Sequence, residues 1–180
     1  PAFRLIDRYA EQMMREAGTP GLALALVDRR GLLLVRTYGW ADRERRIPVS
    51  AETRFQIGSI SKSFTAVALM QLRAEGRFDP MLPAQRYLPW FRTADRRGAE
   101  ITVRMLLQNT SGIPSQDRGF FSQDTDEGAV EREVRGLSRV PLVRAPGHSF
   151  EYSNENWSVA GAVISAVSVL PYSTFLEREV

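Results

Sequence analysis

The sequence predicts a chain that mixes helices with antiparallel strand, and three observations lead there. Residues 22–38 carry two apolar runs around an Asp-Arg-Arg-Gly turn, helix-period segments follow from residue 61, and strand signals run out after Tyr38. The chain has 180 residues, with 43% hydrophobic and 25% charged. These values describe one ordinary globular domain or a piece of a larger one, and they exclude general disorder.

Residues 3–17 form the first predicted helix. Leu5, Ile6, Tyr9, Met13 and Met14 fall near one face at helical spacing, and Gly18, Thr19, Pro20 and Gly21 stop it. Residues 22–27 and 32–38 are the two strands, with Asp28 to Gly31 between them. Both strands are apolar nearly throughout. That pattern predicts cover on both faces, as at the centre of a layered sheet. Residues 61–74 form an apolar helix, expected to be buried, with Phe64, Val67, Leu69, Met70 and Leu72 around most of it and Gly76 as its stop.

Pro80, Pro83 and Pro89 make 78–90 an irregular connection. A short helix is expected over 102–108, with Thr102 as its cap. Residues 112–128 read as a long loop, 131–137 as helix, 141–154 as loop and 157–169 as a small-residue helix. Pro171 and Ser173 open a last helix that continues to Val180. A two-stranded hairpin is marginal alone. The expectation is therefore an N-terminal part of a larger fold, its remaining strands lying beyond Val180 or in another chain.

Composition excludes several chemistries. There is no Cys, so disulfides, thiolate zinc sites and cysteine nucleophiles are out, and His148 is the single histidine. No cofactor or metal is expected. The net charge is +3 and the pI 9.7. Arg43, Arg45, Arg46, Arg96 and Arg97 are interspersed with Asp42, Glu44, Asp95 and Glu100, without an aromatic ladder, which argues against nucleic acid as a partner. The longest mild apolar stretch, 159–170, falls short of the ~20 residues of a transmembrane segment. No signal peptide is visible; the chain starts at Pro1, which is compatible with a removed targeting segment.

Lys62 is the single lysine among 24 basic residues, so its neighbours carry a chemical question. It lies in Gly58-Ser59-Ile60-Ser61-Lys62. Helical residues three apart share a face, which lets Ser59 and Lys62 touch. A serine becomes a nucleophile beside a base, and burial on an apolar helix favours the neutral amine that can act as one. Ser59 at a helix start would also meet free N–H groups and the positive end of the dipole. The same residues equally suit a helix-capping serine followed by a solvated lysine. Ser61 and Ser63, adjacent to Lys62, would face away from it.

A second constellation is Pro146-Gly147-His148-Ser149-Phe150-Glu151-Tyr152-Ser153-Asn154. Tyr152 and Asn154 point the same way from an extended segment. A phenol can relay a proton and an amide can hold a substrate carbonyl or amine. The bland alternative is a packed tyrosine and an asparagine capping the next helix. His148 lacks a nucleophile elbow and reads as a surface loop residue. Asp124, Asp126 and Glu127 form an acidic loop without calcium-loop spacing. Phe120 and Phe121 suit either a cleft wall or the core, and plugging the core is the expectation.

Taken together, the segments resemble the serine β-lactamase and penicillin-binding-protein superfamily, closest to its class C β-lactamase, esterase and D-alanyl-D-alanine carboxypeptidase branch. Residues 55–66, from Phe55 through Ser59 and Lys62 to Ala66, resemble that branch's active-site segment. Leu106-Leu107-Gln108-Asn109-Thr110-Ser111-Gly112-Ile113-Pro114 is similar to the segment after its active-site helix, and residues 146–154, from Pro146 to Tyr152-Ser153-Asn154, to its Y-x-N motif and lead-in. The order and spacing of the three motifs agree with that branch across nearly the whole chain.

The resemblance implies an α/β (α+β) fold of the β-lactamase/transpeptidase type, with a helical region beside a mostly antiparallel sheet. Residues 1–180 would be the N-terminal part of one such domain, with helix and hairpin over 1–58 and a mainly helical region over 59–180. It implies a serine hydrolase working through an acyl-enzyme on a β-lactam, a D-alanyl peptide or an ester. Ser59 would be acylated, Lys62 would activate it, Tyr152 would share proton transfer and Asn154 would help position substrate. The Ser59 N–H would form half of an oxyanion hole. A periplasmic or secreted location is favoured by the resemblance alone.

Three departures stand out. The third motif, a Lys-Thr-Gly or His-x-Gly strand, is expected after residue 180, and with it the second oxyanion donor. The loss of one such donor lowers rates by about 100–1000-fold. Gln108-Asn109 replaces the branch's usual Thr-His, and Val169-Leu170 stands where Gly is usual. The competing expectation is a truncated non-catalytic fragment or interaction module, whose hairpin pairs with a partner chain that completes its sheet.

Overall fold

Helix α1 (Ala2–Ala17) is stopped, as its sequence demands, by Gly18 at φ +65°. The computed structural model describes residues 2–116, 124 and 126–180, in two units, Pro1–Gln56 and Ile57–Val180. Phe120 and Phe121 lie outside the described residues.

In the first unit, β1 (Gly21–Asp28) pairs antiparallel with β2 (Gly31–Asp42) in the register Leu22 to Tyr38 and Asp28 to Gly31. Asp28 shapes the turn by accepting the Arg30 N–H at 2.6 Å. Strand β2 runs on beyond Tyr38 and pairs with β3 (Ile47–Pro48), giving the order β1-β2-β3. The sequence carries almost no strand signal for β3, because two residues are too few to show a period. Asp7 of α1 ties the helix to β2. It accepts from Arg36 Nε at 3.1 Å and from the Tyr38 hydroxyl at 2.8 Å. Burial, reinforced by the bond to Asp7 and its negative charge, pushes the Tyr38 phenol up to about 12.

Leu26, Val27, Leu32, Leu33 and Val35 of the hairpin are exposed, Val27 at 65%, although their pattern predicts cover on both faces. On α1, Ala10 is buried and Ile6 and Met14 are half-buried, while Leu5, Tyr9 and Met13 face solvent. Three strands, one of two residues, and a single helix cannot supply layers on both sides of this sheet. Ala10, Leu34 and Val49 are the buried apolar side chains of this unit among the described residues.

The second unit is built around α5 (Asn154–Ser168), which packs on α2 (Ser61–Ala74), α3 (Val103–Leu107), α4 (Ala129–Gly136) and α6 (Tyr172–Glu179). Its Val159, Ala160, Val163 and Ile164 are fully buried. Small residues on this helix let the neighbouring helices come close. The bounds of α2 are those its sequence predicts, yet it is not buried all round. Thr65, Ala68, Leu69 and Leu72 face the core, whereas Phe64, Val67 and Met70 are exposed. An all-apolar helix needs neighbours on every side, and α5 and α6 meet one side.

Residues 78–90 are irregular as expected, with a short 3-10 turn at Ala84–Arg86, and a second such turn follows at Arg96–Glu100. Thr102 caps α3 by accepting the Met105 N–H at 3.2 Å. Helix α5 starts three residues before the apolar pattern announces it, and α6 closes with Val180 N–H bonded to Leu176 O at 3.2 Å. Among the described residues no single helix is long and apolar enough to cross a membrane.

Candidate active site

Gly58 takes φ +52°, a conformation most side chains resist, and turns the chain into a 3-10 turn over Gly58–Ile60 that runs straight into α2. This places Ser59 one turn before Lys62 on the same face. Lys62 Nζ donates to Ser59 Oγ at 3.1 Å. The expected three-residue pairing therefore forms. Ser59 is exposed and Lys62 half-buried, so the hydroxyl is open to a substrate while the amine is sheltered.

The second constellation arrives at the same point. Ser59 Oγ lies 2.8 Å from the Tyr152 hydroxyl, and Lys62 Nζ donates to Asn154 Oδ1 at 2.8 Å. Lys62 Nζ also sits 5.1 Å from the centre of the Tyr152 ring, within cation–π range. The structure thus brings Ser59, Lys62, Tyr152 and Asn154 together. Asn154 is the first residue of α5 rather than its cap; Ser153 holds the cap position. Tyr152 is not a packed core residue, being 44% exposed.

The arrangement has definite chemical capability. Ser59 has one hydroxyl proton and two polar neighbours. When Lys62 donates to Ser59 Oγ, that proton is left for the Tyr152 oxygen. A neutral Lys62 amine takes the proton itself. In both cases the serine oxygen is held by one group while the other receives its proton, the requirement for an activated nucleophile.

Other sequence candidates lie elsewhere. His148 is exposed in the turn after Gly147. Ser61 and Ser63 are exposed on α2 on either side of Lys62. The acidic loop is occupied by an arginine: Arg132 Nη2 donates to Asp124 at 2.8 Å and to Asp126 at 2.5 Å, and the guanidinium holds the Asp126 carboxyl below its ordinary value.

A layer beneath the site escapes sequence reasoning. Asn109, Ser111, Ser153, Glu155 and Asn156 are all buried and bonded to one another. Ser111 Oγ donates to Asn156 Oδ1 at 2.5 Å, and Asn156 Nδ2 donates to Asn109 Oδ1 at 3.2 Å. Glu155 accepts from Ser153 Oγ at 2.9 Å and from the Gln116 N–H at 2.7 Å. Nearby, burial pushes the Glu133 carboxyl up, with the Glu155 charge adding to it and a bond from Ser158 opposing it. The available signal is the polar opening of α5, Asn154-Glu155-Asn156, directly before a helix whose next turns are apolar.

The profile of the Beta-lactamase family matches residues 6–180. The chain belongs to the Beta-lactamase family. Within that family it is 28% identical over 172 residues to protein flp of Staphylococcus aureus (strain COL), covering 95% of this chain and 34% of that protein. It is similar to the octameric penicillin-binding protein homologue from Pyrococcus abyssi, with a TM-score of 0.86, 25% identity and cover of 99% of this chain and 42% of that one. It is also similar to a D-stereospecific amidohydrolase from Streptomyces sp., with a TM-score of 0.71, 34% identity and cover of 91% and 49%. The chain spans less than half the length of each of these relatives. The mixed helix and antiparallel-sheet fold and the family expected from the sequence both stand.

Proposed function

We propose that this chain carries the nucleophile side of a serine acyl-transfer site, and that the protein it belongs to is a hydrolase. The observation that carries the reading is the convergence on Ser59 Oγ of Lys62 Nζ at 3.1 Å and the Tyr152 hydroxyl at 2.8 Å. Ser59 Oγ attacks a substrate carbonyl carbon and passes its proton to the Lys62–Tyr152 pair. The C–N or C–O bond then breaks, and the leaving group takes a proton from Tyr152. Water adds to the acyl-serine and loses a proton to the same pair; the C–Oγ bond then breaks, the acid leaves, and Ser59 Oγ takes that proton back. Asn154 holds Lys62 in place through its Oδ1 and would help position the substrate. The Ser59 N–H would supply one oxyanion donor.

The substrate on this reading is a β-lactam, a D-alanyl peptide or an ester, a choice that the family resemblance supports. The amidohydrolase relative favours an acyl donor with a D-configured residue. The test is intact-mass spectrometry after incubation with a fluorophosphonate. A stoichiometric adduct that disappears in Ser59→Ala supports the reading; no adduct on the wild-type chain removes it.

A second reading has an observation of its own. The exposed Leu26, Val27, Leu32 and Leu33 suit a hairpin that pairs with another chain, making this a non-catalytic interaction module. Sedimentation separates the readings: a monomer that labels at Ser59 argues for the enzyme, an unlabelled self-associating chain for the module.

A further inference from the structure

Asn109 stands at φ +54°, a left-handed conformation that asparagine tolerates better than most residues. The consequence is a two-point grip on the segment carrying Tyr152. The Asn109 carbonyl accepts the Glu151 N–H at 2.7 Å. Its side-chain Oδ1 accepts the Ser153 N–H at 3.2 Å. Tyr152 is thus bracketed on both sides by one residue. A third contact, Asn156 Nδ2 to the same Oδ1 at 3.2 Å, fixes the amide, and Asn156 is itself held by Ser111. Asn109 is 8% exposed and Ser153, Asn156 and Ser111 are fully buried, so these bonds do not compete with solvent.

We propose that Asn109 is a positioning residue that sets the Tyr152 hydroxyl at hydrogen-bonding distance from Ser59. The catalytic half of this statement rests on the function proposed above. Asn109 touches neither Ser59 nor a substrate; it acts through the backbone of Tyr152. The position of the tyrosine oxygen depends on a main chain with one bond on either side, and one of the two bonds is made by a side chain. A displacement of about 1 Å at a reacting group lowers rates by about 100-fold.

The experiment compares wild type, Asn109→Gly and Asn109→Asp. Glycine keeps the left-handed backbone and the carbonyl grip but loses Oδ1. Aspartate keeps an acceptor at that place. Two readouts are taken: amide hydrogen exchange of Glu151 and Ser153 by NMR, and the rate and concentration dependence of fluorophosphonate labelling. In Asn109→Gly the Ser153 amide is expected to lose at least about tenfold protection while Glu151 keeps its own. The limiting labelling rate falls by about 10–100-fold, at an unchanged half-saturating probe concentration. Asn109→Asp restores most of both. Unchanged Ser153 protection in Asn109→Gly overturns the grip. Lost protection with an unchanged labelling rate overturns the positioning role. A wild-type chain that does not label removes the hydrolase reading instead, and the exchange pattern still decides whether Asn109 fixes the Tyr152 backbone.

Discussion

Replacing Val169 with glycine should stabilise this protein. Val169 follows the last residue of α5 at φ +63°, ψ +24°, and its N–H closes the helix on Ser165 O at 3.0 Å. The left-handed conformation costs an L-residue roughly 1–2 kcal/mol, and a β-branched side chain belongs at the upper end. Glycine removes that strain but gives back roughly 0.5–1 kcal/mol in extra freedom of the unfolded chain. The side chain is 85% exposed, so truncating it forfeits little burial. The net gain is about 1 kcal/mol, worth about 2–4 °C in Tm for a chain of this size. Urea unfolding followed by circular dichroism at 25 °C gives the free energy, and a thermal scan gives Tm. Val169→Ala is the control, because it keeps a Cβ and with it most of the strain. The reasoning is refuted if Val169→Gly is no more stable than wild type, or if Val169→Ala gains as much.

Two other outcomes are expected. The Tyr38 phenol is held neutral to about pH 12 in the folded state, above its ordinary value near 10. The stability it contributes is fully present below pH 10 and is lost as pH rises towards 12. An absorbance titration at 295 nm should show one late phenol among the five tyrosines, absent in Tyr38→Phe. At the candidate site, Lys62→Met should slow fluorophosphonate labelling by about 100–10,000-fold. Lys62→Arg should not rescue it, since a guanidinium does not give up its proton; an arginine variant labelling at wild-type speed would show that only positive charge is needed.

Much of the fold is legible in the sequence where a local signal is strong. Helix α2 is bounded by Ser61 and Gly76 and filled with apolar residues, and its observed limits match. The hairpin is announced by Asp28 and Gly31 at its turn. The start of α5 is misread because Asn154, Glu155 and Asn156 are polar, and an apolar period cannot announce a buried polar turn. Burial is misjudged for Phe64, Val67 and Met70, because composition says what a surface prefers and not whether a neighbour supplies it. At the site, Ser59 and Lys62 are three residues apart and their pairing follows from helix geometry. Tyr152 is 93 residues from Ser59, and that meeting follows from the motif resemblance, not from any local rule. In the sequence Asn109 stands out only as a departure inside the second motif segment, where Thr-His is usual. Its role depends on a left-handed turn and on bonds to residues 42–47 positions away.

On the proposed mechanism Ser59, and no other serine, is the activated nucleophile. Tryptic digestion after fluorophosphonate treatment releases residues 55–62 as one peptide containing both Ser59 and Ser61. Fragment ions from that peptide locate the adduct. The full added mass is expected on Ser59, with none on Ser61. An adduct on Ser61, on another peptide, or spread among several serines would contradict that mechanism.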